Sequence, residues 1–299
     1  MTNAITEAPT REPAAAPAER RAVRETNAYA ASLTAVWVVW KRDLVRYWRD
    51  RGRVIASLMQ PLLYLVIFGT GLSSLMRGGS SFPKGFNYQQ FLYPGVISMA
   101  VLFTAMFGAM SIVWDREFGF MKELLVAPID RSAIAIGKTL GGATQAMVQG
   151  VVLLVLAPFI GITVTPLMVL QVLVLVFILA FALSALGVAV GSRMKSMQGF
   201  QVVMNFLMMP IFFLSGALFP LTGLPAWLTV LTRIDPASYG IGPIRKVVLE
   251  AGGVPARALD QYAIDLFGHR LSTLEEVGIM LVFGVVMMAV AVYNFQQRD

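Results

Sequence analysis

Long stretches without a charged residue alternate with short charged clusters along most of this chain. Five such stretches follow residue 53, and each is rich in Leu, Val, Ala, Met or Phe. A helix needs about 20 apolar residues to cross a hydrocarbon core of roughly 30 Å. All five stretches are long enough, and they comprise residues 54–76, 85–114, 139–192, 196–232 and 277–297.

The lengths of these stretches predict six membrane-spanning helices. The first, second and fifth stretches each fit one crossing. The third has 54 residues and fits two crossings, because Gly161 and Pro166 break it near the middle. The fourth holds one crossing over about 202–220 and leaves a surplus of apolar residues after it.

Backbone chemistry narrows the fold class to an all-α membrane protein. Open sheets leave N–H and C=O groups unpaired in lipid, and the strands of a transmembrane barrel alternate between apolar and polar residues. The stretches here are continuously apolar. Of the 299 residues, 57% are hydrophobic and 14% are charged, whereas soluble domains average about 45–50% and about 25%. The predicted six-span domain covers residues 54–299.

Two segments precede the first predicted span. Residues 1–31 are rich in Ala, Pro, Arg and Glu and lack a signal-peptide core, which predicts a disordered cytoplasmic tail. Residues 32–53 predict an amphipathic helix that Ser32 caps. Six charges within 41–50 exclude a span there, so we expect this helix to lie in the headgroup plane. Its apolar face holds Leu33, Val36, Trp37, Trp40, Leu44 and Tyr47, and another face holds Arg42, Arg46, Arg49 and Arg53.

The distribution of Lys and Arg predicts the orientation of the chain. Seventeen of the 24 Lys and Arg residues fall in segments that face the cytoplasm if the N-terminus does, and cytoplasmic loops carry such an excess. We therefore expect a multi-pass protein of the plasma or inner membrane with both termini cytoplasmic. The net charge of +7 then reflects these flanks, and no nucleic-acid partner is expected.

Residues 221–273 form the large exterior segment of this arrangement. Pro225 and Pro236 interrupt it, and the apolar piece between them is too short to cross a membrane. Such a piece predicts a re-entrant or surface-lying element between spans 5 and 6. The segment contains His269, the one histidine in the sequence, and the chain has no cysteine. These counts exclude disulfides and Cys-ligated metals and leave no basis for a metal site.

The connection between the second and third spans combines charges with an apolar face. Asp115 is positioned to cap a short helix, and Pro128 ends it. Phe118, Met121 and Leu125 fall on one face of that helix. Acidic residues outnumber basic ones across 115–130, which favours docking to a protein over anchoring on anionic lipid.

This connection resembles the cytoplasmic loop of type-2 ABC exporter permeases. The resemblance rests on Asp115-Arg-Glu-Phe-Gly, Leu124-Leu-Val-Ala-Pro and Arg131, and on motifs elsewhere in the chain. It covers residues 32–299, and it is strongest to the permeases that export daunorubicin or nodulation factors. The other motifs are Gln60-Pro61, Phe213-Leu-Ser-Gly-Ala-Leu-Phe-Pro220, Pro225, Trp227-Leu, Pro236 and Tyr239.

The resemblance implies a transporter subunit that is not itself an enzyme. In the family, the loop corresponding to 117–125 is a coupling helix that enters a cleft of a separate ATP-binding subunit. It implies two copies of that subunit, with ATP and magnesium bound there, and a second permease copy, with a homodimer expected. The coupling residues carried over are Asp115, Arg116, Glu117, Phe118, Met121, Leu124 and Leu125.

The chain itself lacks a convincing nucleotide-binding loop. The sequence 132–139 ends in Gly-Lys-Thr, but Ser132 stands where the first glycine belongs and a predicted span follows directly. We interpret Lys138 as an anchor at the cytoplasmic start of span 3. A proton-driven secondary transporter is the main alternative, and it would place ionisable residues within the membrane. In our assignment every charge lies at the border of a span.

Polar amides and large soft side chains within the spans are candidates for a substrate path. The amides fit hydrogen bonds between helices as well as a translocation role. The Met and Phe residues suit promiscuous apolar binding, but they are equally ordinary as lipid-facing residues. The candidates are Met99, Phe103, Met106, Phe107, Gln145, Gln149, Asn205, Met208, Met209 and Phe212.

These features predict export of hydrophobic or amphipathic molecules, either drug-like compounds or lipids. Export of lipid-linked glycans or polysaccharides is the alternative within the same family. Small residues in spans 3 and 4 predict close helix packing. They are Gly137, Gly141 and Gly142 in span 3, and Ala185, Gly187, Ala189 and Gly191 in span 4.

Overall fold

The computed structural model describes residues 17–76, 88–119, 130–221, 223–255, 259, 263–266 and 268–297. Within them, helices form almost all of the regular structure. The first five are α1 (Pro17–Arg49), α2 (Arg51–Met76), α3 (Tyr88–Gly108), α4 (Met110–Glu117) and α5 (Arg131–Leu154). They are followed by α6 (Pro166–Gly191), α7 (Met197–Leu214), α8 (Ala226–Ile234), α9 (Pro236–Ala251) and α10 (Thr273–Gln296).

Five helical segments of the described chain are long and apolar enough to cross a membrane. They confirm an essentially helical, multi-pass membrane fold. Helix α5, which we predicted as the third span, is not among them, because Lys138, Gln145, Gln149 and several glycines make it more polar. The six-span count therefore stays a prediction. The five segments are Val54–Gly71, Tyr88–Glu117, Pro166–Gly191, Met197–Leu214 and Thr273–Gln296.

Helices α3, α5 and α6 form the centre of the bundle. Each packs against the other two, while α10 lies mainly on α6 and α2 lies on α3. Close approach depends on glycine: a Cβ atom on Gly108 would lie 2.8 Å from the Gly142 Cα atom, and one on Gly187 would lie 2.7 Å from the Met106 carbonyl oxygen. Real Cβ atoms do not come this close, so small residues permit the packing that the sequence predicted.

Helix α1 packs along α5. It begins at Pro17, earlier than the predicted start at Ser32, so helix also covers part of the segment expected to be disordered. Ala35, Val39 and Tyr47 recur at intervals of four or eight residues and are buried. A Cβ atom on Gly137 would lie 2.9 Å from Cβ of Val39. Part of the predicted apolar face, including Leu33 and Trp37, is instead exposed on the outside of the bundle.

A turn separates α5 from α6, as Gly161 and Pro166 predicted. Gly161 has a φ of 80°, which glycine adopts without the strain that other residues incur. Pro166 occupies the first turn of α6, and the Thr165 hydroxyl accepts a hydrogen bond from the Met168 amide at 3.2 Å. The turn contains a short 3₁₀ helix over Ala157–Ile160.

The predicted exterior segment contains two short helices and a small hairpin. Helix α9 packs against α3, α6 and α10, whereas α8 exposes Trp227, Val230 and Ile234. Strands β1 (Asp265–Leu266) and β2 (His269–Arg270) pair antiparallel, a detail that the all-α prediction did not include. Neither short helix is long enough to span a membrane, and the re-entrant geometry stays a prediction.

The two ends of the bundle differ in chemistry. We call the end where α4 and α6 terminate and α5 and α7 begin the charged end. There the Arg131 guanidinium donates to the Gln296 carbonyl oxygen at 3.2 Å, and Arg193 donates to the Asn294 side chain at 2.8 Å. We call the other the opposite end, where the Tyr88 hydroxyl donates to the Leu218 carbonyl oxygen at 3.3 Å.

Candidate functional site

Three consecutive charged residues at the end of α4 bind three different parts of the charged end. Asp115 contacts α1 and α5, Arg116 contacts the end of α6, and Glu117 contacts the start of α7. All three were predicted as coupling residues. We refer to these residues, together with Asp43, Ser111 and Lys138, as the junction.

A buried lysine lies at the centre of the junction. Lys138 is 1% exposed. Its Nζ lies 3.0 Å from Oδ1 of Asp43, 2.7 Å from Oδ2 of Asp115 and 3.0 Å from Oγ of Ser111. The three donors of the ammonium therefore have three oxygen acceptors. A buried ion pair holds only when such partners offset the loss of hydration, so Lys138 fixes α1, α4 and α5 to one another.

Two arginines of α1 extend this network toward the surface. The Arg42 guanidinium donates to the Asp115 carboxylate, and Arg46 lies 3.6 Å from the same carboxylate. The Arg46 guanidinium also lies over the Trp114 ring, 5.0 Å from its centroid, which is a favourable cation–π distance. The arginine face of α1 was predicted to meet headgroups, yet two of its members bind α4.

Arg116 and Glu117 bind helix ends. The Arg116 guanidinium donates to the Met194 carbonyl oxygen and, at 3.0 Å, to that of Ser192, where the negative end of the α6 dipole lies. The Glu117 carboxylate accepts from the Met197 amide at 3.0 Å, at the positive start of α7. Both charges have the sign that the nearby helix end favours. The two residues thus hold the α6–α7 connection from both sides.

The segment after Glu117 begins with an exposed aromatic pair. Phe118 is 58% exposed, and its ring centroid lies 5.4 Å from that of Trp114. Asp115 does not start a new helix as predicted; it lies inside α4, which ends at Glu117. The remaining predicted coupling residues lie outside the described residues; they are Met121, Leu124 and Leu125.

A cavity adjoins the junction between α2, α3 and α5. Its walls include three of the predicted path residues, Phe103, Phe107 and Gln145, along with Gln60 and Thr104. The wall is continuous with the charged end, because Trp114 also lines it. The structure thus gathers part of the predicted path around one cavity.

The other predicted path residues lie elsewhere. The Gln149 amide bridges helices: its oxygen accepts from the Thr104 hydroxyl, and its nitrogen donates to Ser57 Oγ at 2.6 Å. This is the interhelical role that the sequence left open. The Phe212 ring lies 5.8 Å from that of Phe103. Of the rest, Met99, Met106 and Met208 are buried in the core, whereas Asn205 and Met209 lie on an exposed face of α7.

The opposite end also buries charged residues. Arg245 lies over the Phe91 ring at 4.5 Å and donates to the carbonyl oxygens of Gly216 and, at 3.3 Å, Ala217. Burial raises the pKa of Asp235 to about 7, although hydrogen bonds from the Ala237 amide and the Ser238 hydroxyl act to lower it. Here a carboxylate has neutral hydrogen-bond partners instead of a cation.

In the sequence, the charged residues lie at the borders of the predicted spans. In the folded chain, several of them are nevertheless buried. Lys246 Nζ lies 3.2 Å from the fully buried Glu276 carboxylate, and Lys138 is equally enclosed. One signal pointed to the junction: Asp43 shares the spacing of Ala35, Val39 and Tyr47, the buried face of α1. Within the described residues, no cluster of His, Asp and Glu could hold a metal ion.

Comparison with known proteins places this arrangement among transporters. Residues 34–249 match the family described as "ABC-2 type transporter". The Inner membrane transport permease YadH of Escherichia coli (strain K12) is 28% identical over 228 residues, which cover 76% of this chain and 86% of that protein. Nodulation protein J of Rhizobium leguminosarum bv. trifolii is 28% identical over 219 residues, covering 71% and 81%.

Proposed function

Because the chain belongs to the ABC-2 type transporter family, we propose that it is the transmembrane subunit of an ATP-driven exporter. In this proposal it carries hydrophobic or amphipathic molecules outward from the cytoplasm and performs no covalent chemistry. ATP and magnesium are bound by a separate subunit. The charged end faces the cytoplasm, which agrees with the excess of Lys and Arg in its connections.

The observation that carries the proposal is the junction. A displacement of the segment after Glu117 reaches α1 and α5 through Asp115, the end of α6 through Arg116 and the start of α7 through Glu117. Asp115 binds a buried lysine, and Arg116 and Glu117 bind helix ends, so these contacts link a displacement of α4 to its neighbours. The ATP-binding subunit would therefore rock the bundle by pushing on one short segment.

The exposed rings of Trp114 and Phe118 support docking at this place. The tilted rings contact each other at the surface of the charged end, where both are partly exposed. Exposed aromatic residues of this kind are common anchors in protein–protein contacts. In the proposal they mark the edge of the surface that meets the ATP-binding subunit.

Assembly completes the transporter. We propose two copies of this chain and two ATP-binding subunits, with both termini of each chain cytoplasmic. Helices α2 and α7 expose apolar faces that include Met59, Leu63, Phe206 and Met209. These faces support either a lipid boundary or contact with a second copy, and the homodimer uses part of them. The substrate path then lies between the copies, beside α3 and α7.

Coupled transport in proteoliposomes tests this function. The chain is reconstituted with an ABC-type ATP-binding subunit from the same organism, and ATP hydrolysis and outward transport are measured together. We expect Glu117→Ala and Phe118→Ala to leave folding intact but to lower transport at least tenfold per ATP hydrolysed. Glu250→Ala and Phe159→Ala are matched controls, because both residues are exposed at the opposite end.

Two outcomes would contradict the proposal. Unchanged export by both Glu117→Ala and Phe118→Ala would show that these two residues do not couple ATP hydrolysis to transport. Export driven by a pH gradient without nucleotide would favour the secondary transporter instead. Drug-like compounds, lipids and lipid-linked glycans are compared as substrates in the same vesicles, and ATP-dependent export of glycans alone would select the alternative within the family.

A further inference from the structure

We propose that the cavity between α2, α3 and α5 binds an uncharged amphipathic molecule with hydroxyl or amide groups at one end. The cavity has a volume of about 510 Å³ and lies within a single copy of the chain. The inference rests on the proposed transport function, because it names a class of substrate and a place where it is held. The residues that carry it are Ser57, Gln60, Phe103, Thr104, Phe107 and Gln145.

Two side-chain amides supply the polar part of the site. Gln145 is 7% exposed, and its amide makes no hydrogen bond to any other described residue. The Gln60 amide likewise has no partner in the described part of the chain. Both amides line the cavity, where their donors and acceptors are available to water or a ligand. Each amide offers both donors and an acceptor, which matches hydroxyl and amide groups on a ligand.

A neighbouring amide shows what a purely structural role looks like in this bundle. Gln149 lies one turn from Gln145 on the same helix, and both its amide atoms are engaged by Thr104 and Ser57. Those contacts bridge α3, α5 and α2. Gln145 faces the cavity with no such bridge. Gln149 therefore has a packing role, whereas Gln145 is a candidate binding group.

The remaining walls are apolar and aromatic. Phe103 and Phe107 are one turn apart on α3 and half-buried, and Met110 and Trp114 continue the same wall toward the charged end. Gln60 also borders a groove along α2, whose walls include the exposed Ile55 and other apolar residues. A ligand with its polar end at the two amides would therefore have an aromatic wall and a continuous apolar groove for the rest of its structure.

Charge complementarity selects an uncharged ligand. Asp50 is the charged residue in the cavity wall, and it is exposed in the link between α1 and α2. Arg49 and Arg51 flank it in the sequence, so the rim has no net negative charge. Among the described residues that line the cavity, none besides Asp50 is charged, and uncompensated charge at this depth is expensive. Ammonium and sulfate head groups should both bind weakly.

Quenching of Trp114 fluorescence tests the site directly. The full chain is placed in phosphatidylcholine nanodiscs and titrated with three probes that share one brominated alkyl chain. Their head groups are glucoside, trimethylammonium and sulfate. The Trp114 signal is isolated by subtracting the Trp114→Phe variant from the parent. We expect saturable quenching by the glucoside, with an affinity at least tenfold higher than for either charged probe.

Two cavity variants and one control complete the test. Gln145→Leu and Gln60→Leu should each weaken glucoside binding about five- to tenfold, which corresponds to losing about one hydrogen bond. Gln201 lies on the exposed face of α7, so Gln201→Leu should leave glucoside binding unchanged. Gln60 is exposed on α2, so its variant keeps the test valid if Gln145→Leu fails to fold.

Several outcomes would overturn the proposal. Equal, non-saturating quenching by all three probes would mean simple partitioning into the membrane. Tighter binding of a charged probe would overturn the ligand class, and unchanged binding by both variants would overturn the site. Because this assay contains neither ATP nor the ATP-binding subunit, saturable binding without ATP-driven transport would instead refute the proposed function and leave the site standing.

Discussion

Helix α5 lies inside the bundle, whereas α7 lies at its edge. Helix α5 carries Lys138, Gln145 and Gln149, and all three are buried. Helix α7 is apolar and has 18 residues, yet only 28% of them are buried. Lipid tails are as apolar as a protein core, so an apolar helix gains little by moving inward. Apolar character alone therefore does not decide which helices are central: α3 and α6 are largely buried, α7 is not, and the more polar α5 lies among the central helices.

The largest expected effect comes from removing the charge at the centre of α5. Lys138→Met leaves the Asp43 and Asp115 carboxylates buried without their ammonium partner. We expect this to lower the free energy of unfolding by about 3–5 kcal/mol. The measurement is thermal unfolding in detergent micelles, followed by fluorescence.

Two further variants make the test of Lys138 specific. Adding Asp43→Asn and Asp115→Asn to Lys138→Met should recover much of the loss, because no buried charge remains. Lys195→Met, which removes an exposed charge just before α7, should change stability by less than about 0.5 kcal/mol. A Lys138→Met protein as stable as the parent would show that the junction does not hold α5 in place.

Two phenylalanines on α7 allow its buried side to be compared with its exposed side. Phe200 is 0% exposed and faces the bundle, whereas Phe206 is 82% exposed. Phe200→Ala should cost about 3–4 kcal/mol because it leaves a cavity, and Phe206→Ala should cost less than about 0.5 kcal/mol in the isolated chain. Chemical unfolding in micelles measures both. Similar losses would mean that the exposed face of α7 is buried in the measured state.

Glycine packing predicts the next effect. A Cβ atom on Gly142 would contact the Ser184 hydroxyl and lie 3.2 Å from the Ala105 carbonyl oxygen, so α5 would be pushed away from α3 and α6. We expect Gly142→Val to cost about 2–3 kcal/mol. Gly278→Val on α10 is the control, because no heavy atom lies within 4 Å of its Cβ position. Equal melting temperatures for the two variants would argue against close packing around α5.

The smallest effect concerns a buried carboxylate without a cation. The pKa of Asp235 is raised by burial to about 7, against about 3.9 in an unfolded chain. Between these values the folded state binds more protons than the unfolded state, so stability falls as pH rises and levels off above 7. We expect a loss of about 1–2 kcal/mol between pH 5.5 and 7.5. Asp235→Asn should keep the α9 cap and flatten this dependence; an unchanged slope would assign it to another group.

Much of the fold follows from the spacing of charges and helix breakers. The stretches at 54–76, 85–114 and 277–297 all contain helices of spanning length, and Gly161 and Pro166 mark the turn between α5 and α6. These features are local, so the sequence alone determines them. The start of α1 and the hairpin near His269 were not predicted, because neither follows from the spacing of charges and helix breakers.

The site was only partly accessible to sequence reasoning. Asp115, Arg116 and Glu117 were singled out from the mixture of charge and apolar residues around them, but their partners come from distant parts of the chain. Lys138 was interpreted as a surface anchor because it precedes an apolar stretch. Nothing in the sequence around Lys138 indicates that the carboxylate of Asp43, 95 positions earlier, would accept a hydrogen bond from the lysine ammonium group. The spacing of residues along the chain does not show which distant charges will pair.

The order in which the chain is synthesised gives the junction a further consequence. Lys138, Asp43 and Asp115 are all present once α5 has been synthesised, whereas Arg116 and Glu117 bind backbone that lies 76 to 80 positions further along. A nascent chain that stops within α6 presents these two charges without the backbone groups that bind them. These contacts can therefore form only after α6 and the start of α7 have been synthesised.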